Sequence, residues 1–225
     1  MPESIESDPN HYPKIQFRNP PFTFHRSLAR FCIPLSKFTK LSSNQGKRIR
    51  ASVVISEPYL PGTSNEGPGS SATTPFVSRL LVVQRSAHDA AFANNWELPG
   101  EHAEFGVDQT LLETVVRGTR EKTGLRVTGI KRELKGLEYH LSGGGVSKQF
   151  VFWVDVQGLE GTRGVQSVQG SHMEGESMRT LIRLDPIEHQ AWKWVSERDV
   201  DGLHTTAETK ECILSALTVI GQGSK

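Results

Sequence analysis

Two cysteines, Cys32 and Cys212, are all that the 225 residues carry. They lie far apart with no other ligand-type cysteine nearby. That pattern argues against a disulfide framework and a cysteine-based zinc site and leaves buried free thiols as the expectation. No apolar run comes near the ~18 residues needed to span a bilayer. The opening Met1-Pro2-Glu3-Ser4-Ile5-Glu6 is acidic and has no apolar core of the kind a secretory leader needs. A reducing intracellular compartment, the cytoplasm, is therefore expected. An excess of charge is missing too: 26 Lys and Arg face 25 Asp and Glu, for a net charge of +1. Neither nucleic acid nor a membrane surface is indicated as a partner. Gly143-Gly144-Gly145 is not a phosphate loop, because no Gly-Lys-Ser/Thr and no helix follow it.

What is present reads as one domain over residues 23–225, after an extended or disordered segment at 1–22. Two stretches rich in Gly, Ser, Pro and Thr, near 57–76 and 157–178, read as loops inserted between strands. Strands are expected at Ala51–Ile55, Arg79–Arg85, one or two between Leu125 and Leu141, Gln149–Val156, Thr180–Leu184 and Trp192–Val195. A helical turn is expected near Phe31–Phe38, a turn at Gly143–Gly145 and a loop over Asn94–Gly106. The clearest helix is Gln109–Lys122. There Leu111, Leu112, Val115, Val116 and Thr119 share one face at three- and four-residue spacing, with Glu113, Arg117 and Glu121 opposite and Gly124 as C-cap. Thr205-Thr206-Ala207-Glu208 looks like a capping box opening a last helix that carries Cys212, Ile213, Leu217 and Ile220 on one face. This order predicts a mixed sheet covered by helices rather than repeating strand–helix–strand units.

Chemistry concentrates between Leu80 and Leu125. A strand ends in Gln84-Arg85, a tight turn Trp96-Glu97-Leu98-Pro99-Gly100 follows, and an amphipathic helix with acids and an arginine closes in Thr123-Gly124-Leu125. This resembles the Nudix hydrolases, whose box reads G-x5-E-x7-R-E-U-x-E-E-x-G-U with U apolar. Leu81–Gln84, and Gln190–Val195 with the Ser196–Val200 that follows, resemble the flanking strands and final helix start of that family. Fungal Nudix-like proteins with a slightly lengthened helix region are the nearest in pattern. The resemblance implies an α/β/α sandwich and hydrolysis of a diphosphate linked to another moiety, such as a nucleoside diphosphate derivative. It also implies magnesium or manganese as cofactor, a small phosphorylated substrate, and a homodimer as an open option, dimers being common in the family.

The box is degenerate. Pro99 and Gly100 are kept, but Glu101 stands in place of the first box glycine. Two extra residues separate Gly106 from Arg117, which leaves the first box glutamate without a counterpart in register. The run Arg-Glu-U-x-Glu-Glu reads Arg117-Gly118-Thr119-Arg120-Glu121-Lys122. Arg117, Glu121 and Gly124 survive; Gly118 and Lys122 replace acids. By resemblance Glu121 and the Gly100 carbonyl would bind metal, Glu188 would act as base or extra ligand, and Arg117 would orient Glu121 and Glu113 through one-turn ion pairs. Glu101, Glu104 and Asp108 are further acids within reach, or else solvated loop and helix-start charges. Trp96, Arg85, His102 and Trp153 are candidate substrate contacts, although core packing or solvation accounts for each as well. Two rival readings remain: metal-independent isomerisation, cyclisation or elimination on an organic substrate with His102, Glu101 and Glu188 as acid–base groups, and a nucleotide-binding module without catalysis.

Overall fold

A computed structural model describes residues 22–57, 77–89, 92–141, 143–157 and 182–223. The expectations for residues 1–21, 58–76 and 158–178, and for Thr180 and Leu181, lie outside these. Residues in regular structure run as β1 (Thr23–Phe24), a 3-10 turn (Arg26–Phe31), α1 (Leu35–Phe38), β2 (Lys47–Ile55), β3 (Leu80–Arg85), β4 (Trp96–Glu97), β5 (Gly100–His102) and α2 (Leu111–Thr123). There follow β6 (Val127–His140), β7 (Val146–Val156), β8 (His189–Val195), a second 3-10 turn (Glu197–Gly202) and a last helix, α3 (Ala207–Gly223).

The strands form two sheets instead of the single mixed one expected. Five lie in the order β1-β6-β7-β2-β5, and three in the order β4-β3-β8. In the larger sheet β1 runs parallel to β6 and β2 parallel to β7, while β6–β7 and β2–β5 are antiparallel. A bridge between Ser56 and Leu80 links the two. Strand alternation gives each face of the larger sheet its own core. Ile49, Ala51, Val53, Ile55, Phe152 and Val154 face α2, α1 and the first 3-10 turn, where Phe31 meets Phe152 edge-on at 5.0 Å. Val54, Val151 and Trp153 face the three-stranded sheet and α3, with its Cys212, Ile213, Ala216 and Leu217. The layers are thus helix, sheets, helix, as the α/β/α expectation requires.

The α2 register follows the sequence periodicity: Leu111, Leu112, Val115, Val116 and Thr119 are all buried. Thr110 is the N-cap, its side chain accepting from the Glu113 N–H at 3.3 Å. Glu113 departs from expectation. It is 1% exposed, and its carboxylate accepts from the Gln109 N–H at 2.7 Å, so it serves the start of the helix rather than an outer face. Gly124 ends the helix at φ 72°, donating to the Arg120 carbonyl at 2.8 Å. The capping box expected on Thr205 is shifted by one residue. Thr206 caps α3 by accepting from the Thr209 N–H at 3.2 Å, and the Thr205 hydroxyl donates to the Trp96 carbonyl at 2.6 Å.

Two stretches differ in kind. Asn94–Gly106 is not all loop, since β4 and β5 lie within it, too short to carry a periodic signal. Ile182–Leu184 is irregular rather than a strand. The Arg183 N–H donates to the Thr123 carbonyl at 2.8 Å, so this segment ties down the C-terminus of α2 instead of joining a sheet.

Gly124→Ala is expected to lose about 1–2 kcal/mol, the cost of a side chain in the left-handed region. A Cβ there would also lie 3.1 Å from the Arg183 Cβ. Urea unfolding should show a lower midpoint with an unchanged slope.

Candidate functional site

Arg117, which the resemblance places in the box, is a hub. Its Nε and Nη2 donate to both oxygens of Asp108 at 2.9 and 2.8 Å, its Nη1 to Glu121 at 2.8 Å, and its Nη2 to the His102 carbonyl at 2.7 Å. Glu104 lies 3.8 Å from Nη1. The forked guanidinium matches the Asp108 carboxylate bidentately, a geometry lysine could not reproduce. Asp108 also accepts from the Thr114 hydroxyl at 2.9 Å and the Glu104 N–H at 3.0 Å. It therefore pins the loop between β5 and α2 to the helix and is not a solvated acid. The expected pairing of Arg117 with Glu121 is present. The one with Glu113 is not, because Glu113 is bound at the helix entrance.

One residue round from Arg117, the helix presents Gly118 and, a turn later, Lys122. Gly118 packs against β5 so closely that a Cβ there would lie 2.7 Å from the Glu101 Cβ. In register with Ala51, Glu101 points to the α2 side of the sheet. There the Lys122 ammonium forms ion pairs with both Glu101 and Glu188. The Lys122 side chain is 8% exposed and that of Glu188 45%. Burial by itself would pull the ammonium's pKa down; its hydrogen bonds to the two carboxylates outweigh this and hold it above the ordinary 10.5. Burial would likewise raise Glu101, but the bonds from Lys122 and the His102 N–H leave it below 4.5. At neutral pH the pair is ionised. Glu188 is placed by a turn in which its own N–H and that of His189 donate to the Asp185 carbonyl, at 3.2 and 2.8 Å.

The donor set tests the implied magnesium or manganese directly. Hard divalent cations take a shell of oxygens, several of them carboxylate. Here Glu121 is bonded to Arg117, Glu101 and Glu188 to Lys122, and the Gly100 carbonyl accepts from Arg50 at 3.3 Å. Among the described residues no three His, Cys, Asp or Glu side chains are grouped to hold an ion. Among the described residues, the buried side-chain polar atoms left without a partner are the Nε of Arg50 and Arg85, the Ser52 hydroxyl and one ring nitrogen each of His102 and His189, and no carboxylate. These residues do not fit the metal.

A second cluster, on the other face of β2 and β5, was not anticipated. Glu97 accepts from Arg50 at 2.9 Å and from Arg85 at 3.2 Å, and its Oε1 lies 3.5 Å from His189 Nε2. Burial opposes ionisation of Glu97, but Arg50, His189 and Arg85 together hold its carboxyl far below the usual range. Arg85, a candidate substrate contact, is bound to Glu97 and Asp89. The faint sequence signal for Glu97 is an acid between Trp96 and Leu98, which belong to the core. Arg50 gave none, sitting at the mouth of an apolar strand.

The remaining candidates scatter. His102 lies across from Arg50, one residue from Glu101, and so on the opposite face of β5. It cannot form an acid–base pair with Glu101 across the strand. Burial, reinforced by Arg50 and Arg48, pushes its ring down to about 4. Trp153 is in the α3-side core, donating to Ser56 at 3.4 Å beneath the Lys131 ammonium at 4.6 Å. Alternation along β7 sends it away from α2, so the structure does not bring it to the box. Trp96 packs at the edge of the same core with Lys193 over its ring at 4.4 Å.

Two outcomes follow. Glu97→Gln should cost about 3–5 kcal/mol by leaving a buried guanidinium unpaired, read by calorimetry or urea unfolding. His102 is neutral in the folded chain down to about pH 4 but protonates near 6.5 when unfolded. The unfolded chain therefore binds more protons in that window, and stability should fall as pH drops from 6.5 towards 4. His102→Gln should flatten this slope.

Comparison with known proteins agrees with this architecture. No curated protein matches the chain. The NUDIX domain of Shewanella oneidensis NrtR, solved with ADP ribose, is 17% identical with a TM-score of 0.50, over 82% of this chain and 97% of that one. The MutT protein of Methanosarcina mazei is 18% identical with a TM-score of 0.49, over 83% and 100%. At 17% identity the likeness to the NrtR domain speaks to the fold alone. The model of the NUDIX domain matches residues 73–217. With well over half its length matched, the chain belongs to the NUDIX domain family.

Proposed function

We propose that this Nudix-fold protein acts on a small organic molecule without a divalent cation, the Lys122 ammonium supplying the positive charge of the site. The supporting observation is the placement of Lys122 between Glu101 and Glu188. An ammonium carries three N–H donors, and two carboxylates leave one for a substrate oxygen. Glu101 holds the ammonium ionised and oriented. Glu188, half exposed, is the group able to take a proton.

The reaction class these roles suit is proton transfer beside a carbonyl. A C–H proton passes to the Glu188 carboxylate, and the electron pair moves into the carbonyl, whose oxygen accepts the Lys122 N–H. In a β,γ-unsaturated carbonyl compound the same carboxyl returns the proton to the γ-carbon of the dienolate, and the double bond shifts into conjugation with the carbonyl. In a simple ketone it returns it to the original carbon, which exchanges the hydrogen. Atoms and electrons balance as an isomerisation in the first case and as an exchange in the second. A fixed donor aimed at a developing oxyanion is among the strongest aids a site can offer.

Metal-dependent diphosphate hydrolysis, the reading favoured by family resemblance, would need Glu121, the Gly100 carbonyl and Glu188 together, each of which is bonded here to a protein cation. Calorimetric titration of magnesium and manganese beside phosphate release from nucleoside diphosphate derivatives separates the two. No binding at millimolar metal and no release is expected; micromolar binding with metal-dependent release would overturn the proposal. Deuterium incorporation from heavy water into a panel of ketones and 1,3-dicarbonyl compounds, followed by NMR, reads proton transfer directly. Glu188→Gln should slow it by roughly 10²- to 10⁴-fold, and an unchanged rate would remove Glu188 from the step.

A further inference from the structure

We infer that Glu101 and Gly118 are a matched pair that sets the cation preference of this site. Gly118 is a positioning residue whose bare Cα lets Glu101 sit against Lys122. The inference rests on the ammonium-centred reading above and says how the fold enforces it.

Three observations carry it. First, relative to the Nudix box pattern, the two positions have traded residues: the box glycine has become Glu101 and a box glutamate has become Gly118. Second, the traded residues touch. A Cβ on residue 118 would lie 2.7 Å from the Glu101 Cβ and 3.2 Å from its backbone nitrogen. Neither atom can swing aside, because both belong to the paired β5 strand. Third, the carboxylate moved onto β5 is bonded to Lys122, which stands one helical turn beyond Gly118 and replaces another acid of the pattern.

The physical meaning is a relocation. A carboxylate on the helix at 118 would project towards the loop from the same face as residues 121 and 122, presenting oxygens to an ion between them. Placed on β5 instead, it approaches the helix from the opposite side and meets a fixed ammonium. A glycine weakens a helix interior, but here a Cβ would meet the β5 strand at 2.7 Å. Restoring the helical acid alone would therefore drive it into Glu101 before it could reach any ion.

The test is a cycle of Gly118→Ala, Glu101→Gly and the double variant, read by thermal unfolding. In the native background Gly118→Ala should lower Tm. In the Glu101→Gly background the same change should cost much less or raise Tm, since the 2.7 Å contact with the Glu101 Cβ is gone and only the 3.2 Å approach to the backbone nitrogen remains. A Tm loss of the same size in both backgrounds overturns the pairing. So does an unfolded Gly118→Ala protein that Glu101→Gly fails to restore. Side-chain nitrogen NMR of Lys122 supplies a readout that strain alone would not move. Glu101→Gln, which preserves shape, should bring the ammonium's pKa down from its raised value, and an unmoved pKa overturns the role of Glu101. Manganese titration by electron paramagnetic resonance then tests the cation preference. The native protein and Gly118→Glu/Lys122→Glu should bind none, whereas Glu101→Gly/Gly118→Glu/Lys122→Glu should bind. Binding by the two-residue variant refutes the matched pair, and failure of the three-residue variant to bind refutes its control of cation preference. Binding by the native protein refutes the ammonium-centred reading itself.

Discussion

The close approach of Gly118 on α2 to Glu101 on β5 is the constraint on which the proposed chemistry of this site depends. Helix and strand approach until a Cβ at 118 would meet the Glu101 Cβ, and the Glu101 carboxylate pairs with Lys122, one turn beyond Gly118 on the helix. The Arg117 guanidinium takes Glu121 and Asp108, and the turn ahead of β8 brings Glu188 to the other side of the ammonium. The result is a box whose acids answer to protein cations.

Behind it the Glu97 cluster holds the two sheets in register with each other. Arg50 comes from the larger sheet, while Glu97, Arg85 and His189 come from the smaller. Desolvating such charges is costly unless they are paired and hydrogen-bonded, and here one carboxylate serves two guanidinium groups and a histidine. Glu188 and His189 are neighbours in sequence, one at the ammonium and one at this cluster. The base proposed for proton transfer is thus anchored by the same electrostatic knot that joins the sheets.

Much of the fold could be read directly from residue patterns. The periodicity of Leu111, Leu112, Val115, Val116 and Thr119 located α2 and its buried face, and the β-branched and aromatic run ending at Val156 located β7. Gly124 was legible as a cap because a left-handed residue is needed there. What stayed hidden was short or non-local. Strands β4 and β5 are too brief to show alternation. Glu113 has the spacing of an outer-face residue, but its carboxylate turns back to the Gln109 N–H. Ile182–Leu184 has strand composition, yet its backbone satisfies the end of α2.

The site shows the same division. The sequence by itself determined that Gly118 and Lys122 stand on the helix and Glu101 in the loop before it, and their reading as departures from the Nudix box pattern rests on the resemblance. It also determined that Arg117 and Glu121 would pair, since they stand one helical turn apart. Only the tertiary structure decided that Gly118 and Glu101 touch, that Lys122 is held by two carboxylates from different elements, and that His102 and Trp153 face away from the box. Those facts depend on strand register and on how far a helix sits above a sheet, distances set by packing among residues far apart in the chain, which no local pattern encodes.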